Sequence, residues 1–196
     1  MAPSDAGAAG VVPEPVTRAH LLTVPDLESV HPDLREPSRI TLRSPVFAPR
    51  GCEDQRAVVR GASRIMGSVS PEVTGRPDVA QIQQHVVRLA SKAEARALVQ
   101  RYRHFSTRCV GDVDTDDGEG GTVRLANRAW FPPRVGDQSA GMLIGWFQGG
   151  GGGDWRRVLV TRVGRTVTVL DVTVIGVRPR SGDLVALGEL AAERLR

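Results

Sequence analysis

The stretch that decides the fold is "WRRVLVTRVGRTVTVLDVTVIG", residues 155–176. Both of its halves are rich in Val and Thr, and β-branched residues of this kind favour strands. Gly164-Arg165 separates the halves, which is the length and composition of a tight hairpin turn. We therefore predict two antiparallel strands joined at Gly164.

Four more segments upstream of this hairpin are predicted to be strands. They are "VVRGASRIMGSV" (58–69), "DVAQIQQHVVRLA" (78–90), the short "TVRLA" (122–126) and "SAGMLIGWFQ" (139–148). Alternation in the second places Ile82, Gln84 and Val86 on one strand face. His85 falls on the other face, where we expect a half-buried or surface histidine rather than a metal ligand.

Three helices are predicted from caps and apolar spacing. Ser91 and Glu94 form a capping-box pattern ahead of a helix that ends near Cys109, and its apolar stripe comprises Ala95, Leu98, Tyr102 and Phe105. Ser181 is the predicted cap of a C-terminal helix with the stripe Leu184, Leu187, Ala191 and Leu195. Thr17 is the predicted cap of a short helix that carries Leu21 and Leu22 and stops before Pro25.

The order of these elements predicts an α+β fold. Helix, strands, helix, strands and helix follow one another, and short turns join the last three strands, which favours an antiparallel β-sheet with helices packed on it in a single domain. Residues 1–15 are rich in Ala, Gly and Pro and are expected to form a disordered tail or tether, so the domain covers residues 16–196. The proline-rich residues 31–51, the acidic "GDVDTDDGEGG" (111–121) and "NRAWFPPRVGDQ" (127–138) are predicted to be loops or turns.

The five glycines Gly149–Gly153 invite a phosphate-loop interpretation, which the neighbouring residues disfavour. A phosphate loop of the Walker type ends in Gly-Lys-Ser/Thr and opens a helix, whereas Asp154, Trp155 and a predicted strand follow here. The acidic run at 112–119 lacks the glycine and glutamate positions of an EF-hand. No serine-hydrolase motif or metal-ligand spacing is present, so we predict no catalytic residues, metal or cofactor.

Composition excludes several classes of protein. Hydrophobic residues make up 40% of the chain, enough for a core, and no apolar run approaches the roughly 18 residues of a membrane span. No signal peptide is visible at the N-terminus of the sequence. The net charge of +4 comes almost wholly from scattered arginines, and a nucleic-acid binder would more often cluster its charge. Nucleic acid is therefore not favoured as a partner.

Two features of the sequence leave alternatives open. Cys52 and Cys109 fit either two buried free thiols or one disulfide. Few aromatic residues occur, and some fall at positions where a core role is not obvious; they fit either core packing or a groove for an apolar or amphipathic molecule with an acidic head group. The candidate ligand contacts are Trp130 and Phe131 in the predicted loop, Arg128 and Arg134 beside them, and Trp146 on the strand at 139–148.

Three segments resemble the PknH-like extracellular sensor domains of mycobacterial kinases and the related actinobacterial sensor-domain lipoproteins. They are "HLLTVPDL" (20–27), "HVVRLASKAEARALVQRYRHFSTRC" (85–109), and the run from "VGDQSAGMLIG" (135–145) to "DLVALGELAAERL" (183–195). The likeness spans residues 16–196. It departs from the family at Phe105, where a tryptophan is common, and in having one cysteine pair where the kinase sensor has two disulfides.

The resemblance implies an exported, non-catalytic α+β domain with a broad cleft for an unidentified small-molecule or lipid ligand. It also implies a Cys52–Cys109 disulfide, a location at the cell surface or in the secreted fraction, and compatibility with a membrane tether outside the chain. Two alternatives remain from the residues themselves: a small cytosolic α+β enzyme, and a basic protein that binds nucleic acid or another protein. A contiguous arginine face would favour the last of these.

Overall fold

The hairpin predicted at residues 155–176 is confirmed in the computed structural model, which describes residues 15–32, 63–69, 81–116, 120–148 and 153–196. The two strands pair antiparallel, with Val163 opposite Thr166. Gly164 has a φ of 59°, a left-handed conformation that suits glycine at a tight turn. The Asp137 carboxylate accepts a hydrogen bond from the Gly164 amide at 2.9 Å and so holds the turn against the rest of the fold.

The hairpin lies near the middle of a seven-stranded sheet. The strands are β1 Ser63–Val69, β2 Gln81–Arg88, β3 Gly111–Asp116, β4 Thr122–Trp130, β5 Gln138–Gln148, β6 Asp154–Val163 and β7 Thr166–Val174. Their spatial order is β1-β2-β7-β6-β5-β4-β3, and every neighbouring pair is antiparallel. The predicted α+β class, an antiparallel sheet with helices packed on it, is confirmed.

Helices cover both faces of this sheet. Helix α2, Lys92–Arg108, packs on one face against Val158 and Val160 of β6. Helix α3, Ser181–Arg194, packs on the other face against Leu159 of the same strand. We name the two sides the α2 face and the α3 face. Because both faces are covered, β7 is buried along nearly its whole length and β6 is buried from Val158 to Arg162.

Helix α2 has the predicted cap and stripe. The Ser91 hydroxyl accepts a hydrogen bond from the Glu94 amide at 3.1 Å, while the Glu94 carboxylate accepts from the amide of Ala90 rather than that of Ser91. The stripe residues are buried and Cys109 caps the C-terminus. Helix α3 has its predicted stripe buried as well, but Arg180 is its N-cap and Ser181 its first residue, so the predicted cap is wrong by one position.

The prediction for the first helix is right in its cap, Thr17, and wrong in its extent. Leu21 and Leu22 follow a 3₁₀ turn at Arg18–His20 and precede helix α1, Val24–Val30, which contains Pro25 in its first turn. Proline is tolerated there because the first amides of a helix have no intrahelical partner. Asp26 accepts a hydrogen bond from the Thr23 amide at 2.6 Å and pairs with Arg194 of α3, so α1 is tied to the C-terminal helix.

Two predicted loops are partly strands. Gly111–Asp116 forms the edge strand β3, where charged side chains discourage pairing with other chains. The predicted loop at 127–138 is wrong over its first four residues, because β4 continues to Trp130 and ends just before Pro132-Pro133. Both errors have the same cause. These residues form strands because they pair with neighbouring strands of the sheet, and their local composition does not reveal that pairing.

Some predicted segments lie outside the described residues: the tail except for Pro15, the proline-rich stretch beyond Pro32, and Gly149–Gly152. The strands on either side of the glycines, β5 and β6, are antiparallel neighbours with Trp146 opposite Asp154. The chain enters strand β6 at Asp154, directly after the glycines, whereas a phosphate loop would be followed by a helix. Among the described helices, none is long and apolar enough to span a membrane.

Candidate ligand-binding site

The five predicted ligand contacts do not form one group. Arg128 and Trp130 lie on the α3 face of β4, since they pair with Leu143 and Gly141 of β5 and strand side chains alternate. Trp146 lies on the opposite face and is 38% exposed. Phe131 is 73% exposed beyond the end of β4, and Arg134 is an exposed residue further along the same connection.

Trp130 sits partly buried over the backbone of β5. Its indole packs against the core cluster beneath α3 and lies opposite Gly141. A Cβ atom at Gly141 would come within 2.9 Å of Pro132 Cδ and closer still to the indole, so the glycine is what allows the ring to lie flat on the sheet. The Arg157 guanidinium covers the ring from outside, 4.7 Å from its centroid.

A row of stacked arginines and aromatic rings continues from this pair across the α3 face. The Arg178 guanidinium lies 4.5 Å from the Trp155 ring centroid, and Trp155 meets Phe147 edge to face with centroids 5.4 Å apart. We name it the arginine–aromatic row; its members are Trp130, Arg157, Trp155, Arg178, Phe147 and Arg124, the last of which lies 5.2 Å from the Phe147 centroid. Cation–π contacts of this geometry are attractive.

A second glycine makes room for the row. Gly145 pairs with Trp155, and a Cβ atom there would lie 2.7 Å from Phe147 Cε2 and 3.0 Å from Trp155 Cζ3. Gly141 and Gly145 are four positions apart on the same face of β5, and each faces an aromatic ring. The α3 face of this strand therefore serves as a platform for rings from β4, β5 and β6.

The row carries positive charge that the described residues do not neutralise. Arg157 donates from Nε to the Pro179 carbonyl at 2.9 Å, and within the described ranges neither Arg157 nor Arg178 has an ion pair with a carboxylate. Burial, and secondly the charge of Arg178, lower the pKa of Arg157. Two guanidinium groups whose charges repel each other favour an anion beside them.

Arg128, a predicted ligand contact, is engaged elsewhere. Its Nη2 forms a 2.6 Å ion pair with Asp112 Oδ1 of β3, and its Nη1 donates to the Gly111 and Asn127 carbonyls at 3.3 and 3.0 Å. These contacts hold the edge strand against β4. The Arg128 guanidinium group is therefore engaged within the sheet, whereas those of Arg157 and Arg178 have no carboxylate partner among the described residues.

Sequence reasoning missed Arg157 and Arg178. The sequence did contain a signal for Arg157. Trp155 and Arg157 are two positions apart on a predicted strand, so their side chains lie on the same face. The second could not have been found, since Arg178 reaches Trp155 only because the connection after β7 folds back over β6.

A second polar cluster lies on the α2 face. Asp171 of β7 is 1% exposed, and its Oδ2 lies 3.2 Å from Arg156 Nε. Burial raises the pKa of Asp171 to about 7 against the opposing charge of Arg156. His85 is 4% exposed rather than half-buried or at the surface as predicted, and burial, with a smaller effect of Arg156, lowers its pKa to about 4. Both side chains are shielded from solvent and so from a dissolved substrate.

The predicted disulfide joins Cys109, which the structure describes, to Cys52, which lies outside the described residues. Cys109 caps α2 and packs partly buried against the core on the α2 face. Within the described ranges no cysteine is a free thiol. Cys52 lies outside those ranges, so its pairing with Cys109 stays a prediction.

Comparison with known proteins supports the fold. No family model matches the chain, and no curated protein matches it. The crystal structure of the extracellular domain of PknH from Mycobacterium tuberculosis matches with a TM-score of 0.63 and 16% sequence identity, over 92% of this chain and 98% of that chain. The structure of CalU16 from Micromonospora echinospora matches with a TM-score of 0.25 and 16% identity, over 68% and 83% of the two chains, which is too weak for argument. The first likeness shows that the chain has a fold similar to an extracellular domain.

Proposed function

We propose that this chain is a non-catalytic, sensor-type domain that binds an amphipathic molecule with an acidic head group at the arginine–aromatic row. One observation carries the proposal. Arg157 and Arg178 are each stacked on an indole, and neither forms an ion pair with a carboxylate among the described residues. The row thus joins unneutralised cations to aromatic surface.

The chemistry of the row fits such a ligand. Stacking on a ring fixes the plane of a guanidinium group and leaves its edge N–H groups to donate to an oxyanion, as arginine does with carboxylates and phosphates. Trp130, Trp155 and Phe147 are only partly buried, so the apolar surface that they leave exposed beside the guanidinium groups can contact an alkyl portion of the same molecule. We therefore assign the proposed head-group site to Arg157 and Arg178 rather than to Arg128 and Arg134, which the sequence suggests.

The binding prediction is tested with decyl phosphate below its micellar concentration. The wild type should bind it, and Arg157→Gln should weaken binding at least roughly tenfold, because a charge-assisted hydrogen bond is lost. Isothermal titration calorimetry measures the affinity. Arg101→Gln, at an exposed position of α2, is the matched control for the change in net charge. Equal affinities for the wild type and Arg157→Gln would refute the site.

The chain is also proposed to act outside the cytoplasm with Cys52 and Cys109 joined. The fold likeness to an extracellular domain supports the location, and the absence of a free thiol among the described residues supports the bond. Intact-mass measurement without reductant should show the loss of two hydrogens, and reduction should lower the free energy of unfolding by roughly 4 kcal/mol in the chain-entropy model. Two alkylatable thiols in protein prepared under oxidising conditions would contradict the bond and weaken the proposed location.

A basic interaction protein is the second candidate, because the arginines of the row share one face. The protein's own guanidinium groups already cover the rings of Trp130, Trp155 and Phe147, so those faces are not open to stacking nucleobases. Decyl phosphate binding that a single-stranded oligonucleotide does not displace favours the small amphipathic ligand; binding of the oligonucleotide alone favours the second candidate.

A further inference from the structure

The connection between β7 and α3 exposes apolar side chains beside arginines. Its sequence is "IGVRPR", residues 175–180, and it contains no acidic residue. Ile175 is 50% exposed and Val177 59% exposed. Arg178 and Arg180 are exposed in the same segment. We name Ile175 and Val177 the apolar tip.

The connection is anchored rather than loose. Pro179 is buried, and its carbonyl accepts a hydrogen bond from Arg157 Nε at 2.9 Å. Arg178 is stacked on Trp155, and Gly176 turns the chain with a φ of 73°. The apolar tip is therefore exposed to solvent on a segment whose base is fixed.

The charges around the tip select an anionic partner. Within the described ranges, Arg178 and Arg180 form no ion pair. The nearest carboxylate in the sequence is Asp183, in the first turn of α3. Arg124 and Arg157 add positive charge on the same side of the sheet. Apolar side chains flanked by unneutralised arginines match the boundary between phosphate head groups and acyl chains.

We infer that residues 175–180 dock the domain on a bilayer that contains anionic lipids. Ile175 and Val177 enter the head-group boundary, while Arg178 and Arg180 contact lipid phosphates. Docking in this way places the arginine–aromatic row at the membrane surface, next to amphipathic acidic molecules. The inference goes beyond the proposed function and names a surface and a partner of its own.

Co-sedimentation with vesicles tests the inference. Wild-type protein should bind vesicles of phosphatidylglycerol and phosphatidylcholine and should not bind pure phosphatidylcholine. The double variant Ile175→Ser, Val177→Ser should bind the anionic vesicles roughly tenfold more weakly, because the buried apolar area is lost. Val110→Ser, at an apolar residue that is 51% exposed on another part of the surface, should bind as the wild type does.

A charge series isolates the arginines. Arg178→Gln with Arg180→Gln should weaken vesicle binding more than tenfold, since each arginine near an anionic surface contributes about fivefold. Arg96→Gln with Arg101→Gln makes the same change in net charge on exposed positions of α2 and should have a much smaller effect. Equal losses in the two double variants would overturn the inference, because they would show attraction by net charge alone.

Decyl phosphate separates this inference from the proposed function. The apolar-tip variant should bind decyl phosphate within about twofold of the wild type, since neither residue belongs to the row. If the wild type binds decyl phosphate but no anionic vesicles, docking is refuted and the proposed function stands. If tip-dependent vesicle binding occurs without decyl phosphate binding, docking is supported and the proposed function fails. A tip variant that sediments like the wild type points to another surface, or to a protein partner for residues 175–180, and overturns the inference.

Discussion

Replacing Asp171 by Asn should raise the free energy of unfolding, relative to that of the wild type, by roughly 3 kcal/mol more at pH 6.5 than at about pH 4. The difference arises from two buried groups whose pKa values move in opposite directions. Burial raises the pKa of Asp171 to about 7 from 3.8. Burial also lowers the pKa of His85 to about 4 from 6.5.

Each group alone makes stability depend on pH, with opposite sign. The folded pKa of Asp171 lies above the unfolded value, so its contribution is fully present below pH 3.8 and is lost as the pH rises through about 7. The folded pKa of His85 lies below the unfolded value, so stability is lost as the pH falls from 6.5 towards 4. Between about pH 4 and pH 6.5, Asp171 is protonated and His85 is neutral in the folded protein, whereas Asp171 is ionised and His85 is protonated in the unfolded protein. The two groups together therefore bind one proton in either state. Equal proton binding gives the wild type no slope from this pair.

Single variants break the balance. Asp171→Asn leaves only the histidine effect, so stability increases with pH. His85→Gln leaves only the aspartate effect, so stability should fall by roughly 4 kcal/mol from pH 4 to above pH 7. Asp154→Asn, which removes an exposed carboxylate of β6, is the matched control.

Urea denaturation followed by tryptophan fluorescence at each pH measures these profiles. Parallel profiles for Asp171→Asn and the wild type would contradict the balance. At pH 8, where the buried carboxylate is ionised in the wild type, Asp171→Asn should be the more stable protein.

The elements that were predicted correctly are those that neighbouring residues specify by themselves, through turn glycines, helix caps and the spacing of apolar side chains. Gly164 between two β-branched runs leaves few alternatives to a hairpin, and Ser91 with its stripe marks α2. Strand β3 was missed because its alternating aspartates resemble a solvated turn and become a strand only by pairing with β4. Helix α1 was misplaced because Pro25 was taken as a stop, although proline also fits the first turn of a helix.

The candidate site divides in the same way. Trp130 could be singled out from the sequence because an aromatic residue in a loop stiffened by prolines is costly to expose without a use. Its cationic partner, Arg157, comes from two strands away, and only the register of β4, β5 and β6 brings the two together. Arg128 was predicted for the same role from its nearness in sequence, and its pairing with Asp112 required the unpredicted strand β3. The local sequence was therefore enough to single out Trp130 as a candidate, but not Arg157, which contacts it only in the folded sheet.

Trp130→Ala should lower the free energy of unfolding by about 3 kcal/mol, at the lower end of the range for aromatic truncation because the ring is only partly buried. The residue opposite, Gly141, has no side chain to fill the space that the indole leaves. Incomplete relaxation around a truncation adds to its cost. Phe131→Ala, at the next residue and 73% exposed, is the matched control and should change stability by less than about 0.5 kcal/mol.

The same substitution should weaken decyl phosphate binding at least roughly tenfold, because Arg157 loses the ring that fixes its plane. Trp130→Phe separates the two roles: it keeps an aromatic surface beneath the guanidinium group while filling less of the space over Gly141. We therefore expect Trp130→Phe to retain most of the affinity while recovering only part of the stability. If the affinity for decyl phosphate falls in proportion to the free energy of unfolding in Trp130→Phe and Trp130→Ala, Trp130 acts only as a core residue. Wild-type affinity in a folded Trp130→Ala protein would remove it from the site altogether and leave head-group recognition to the arginines.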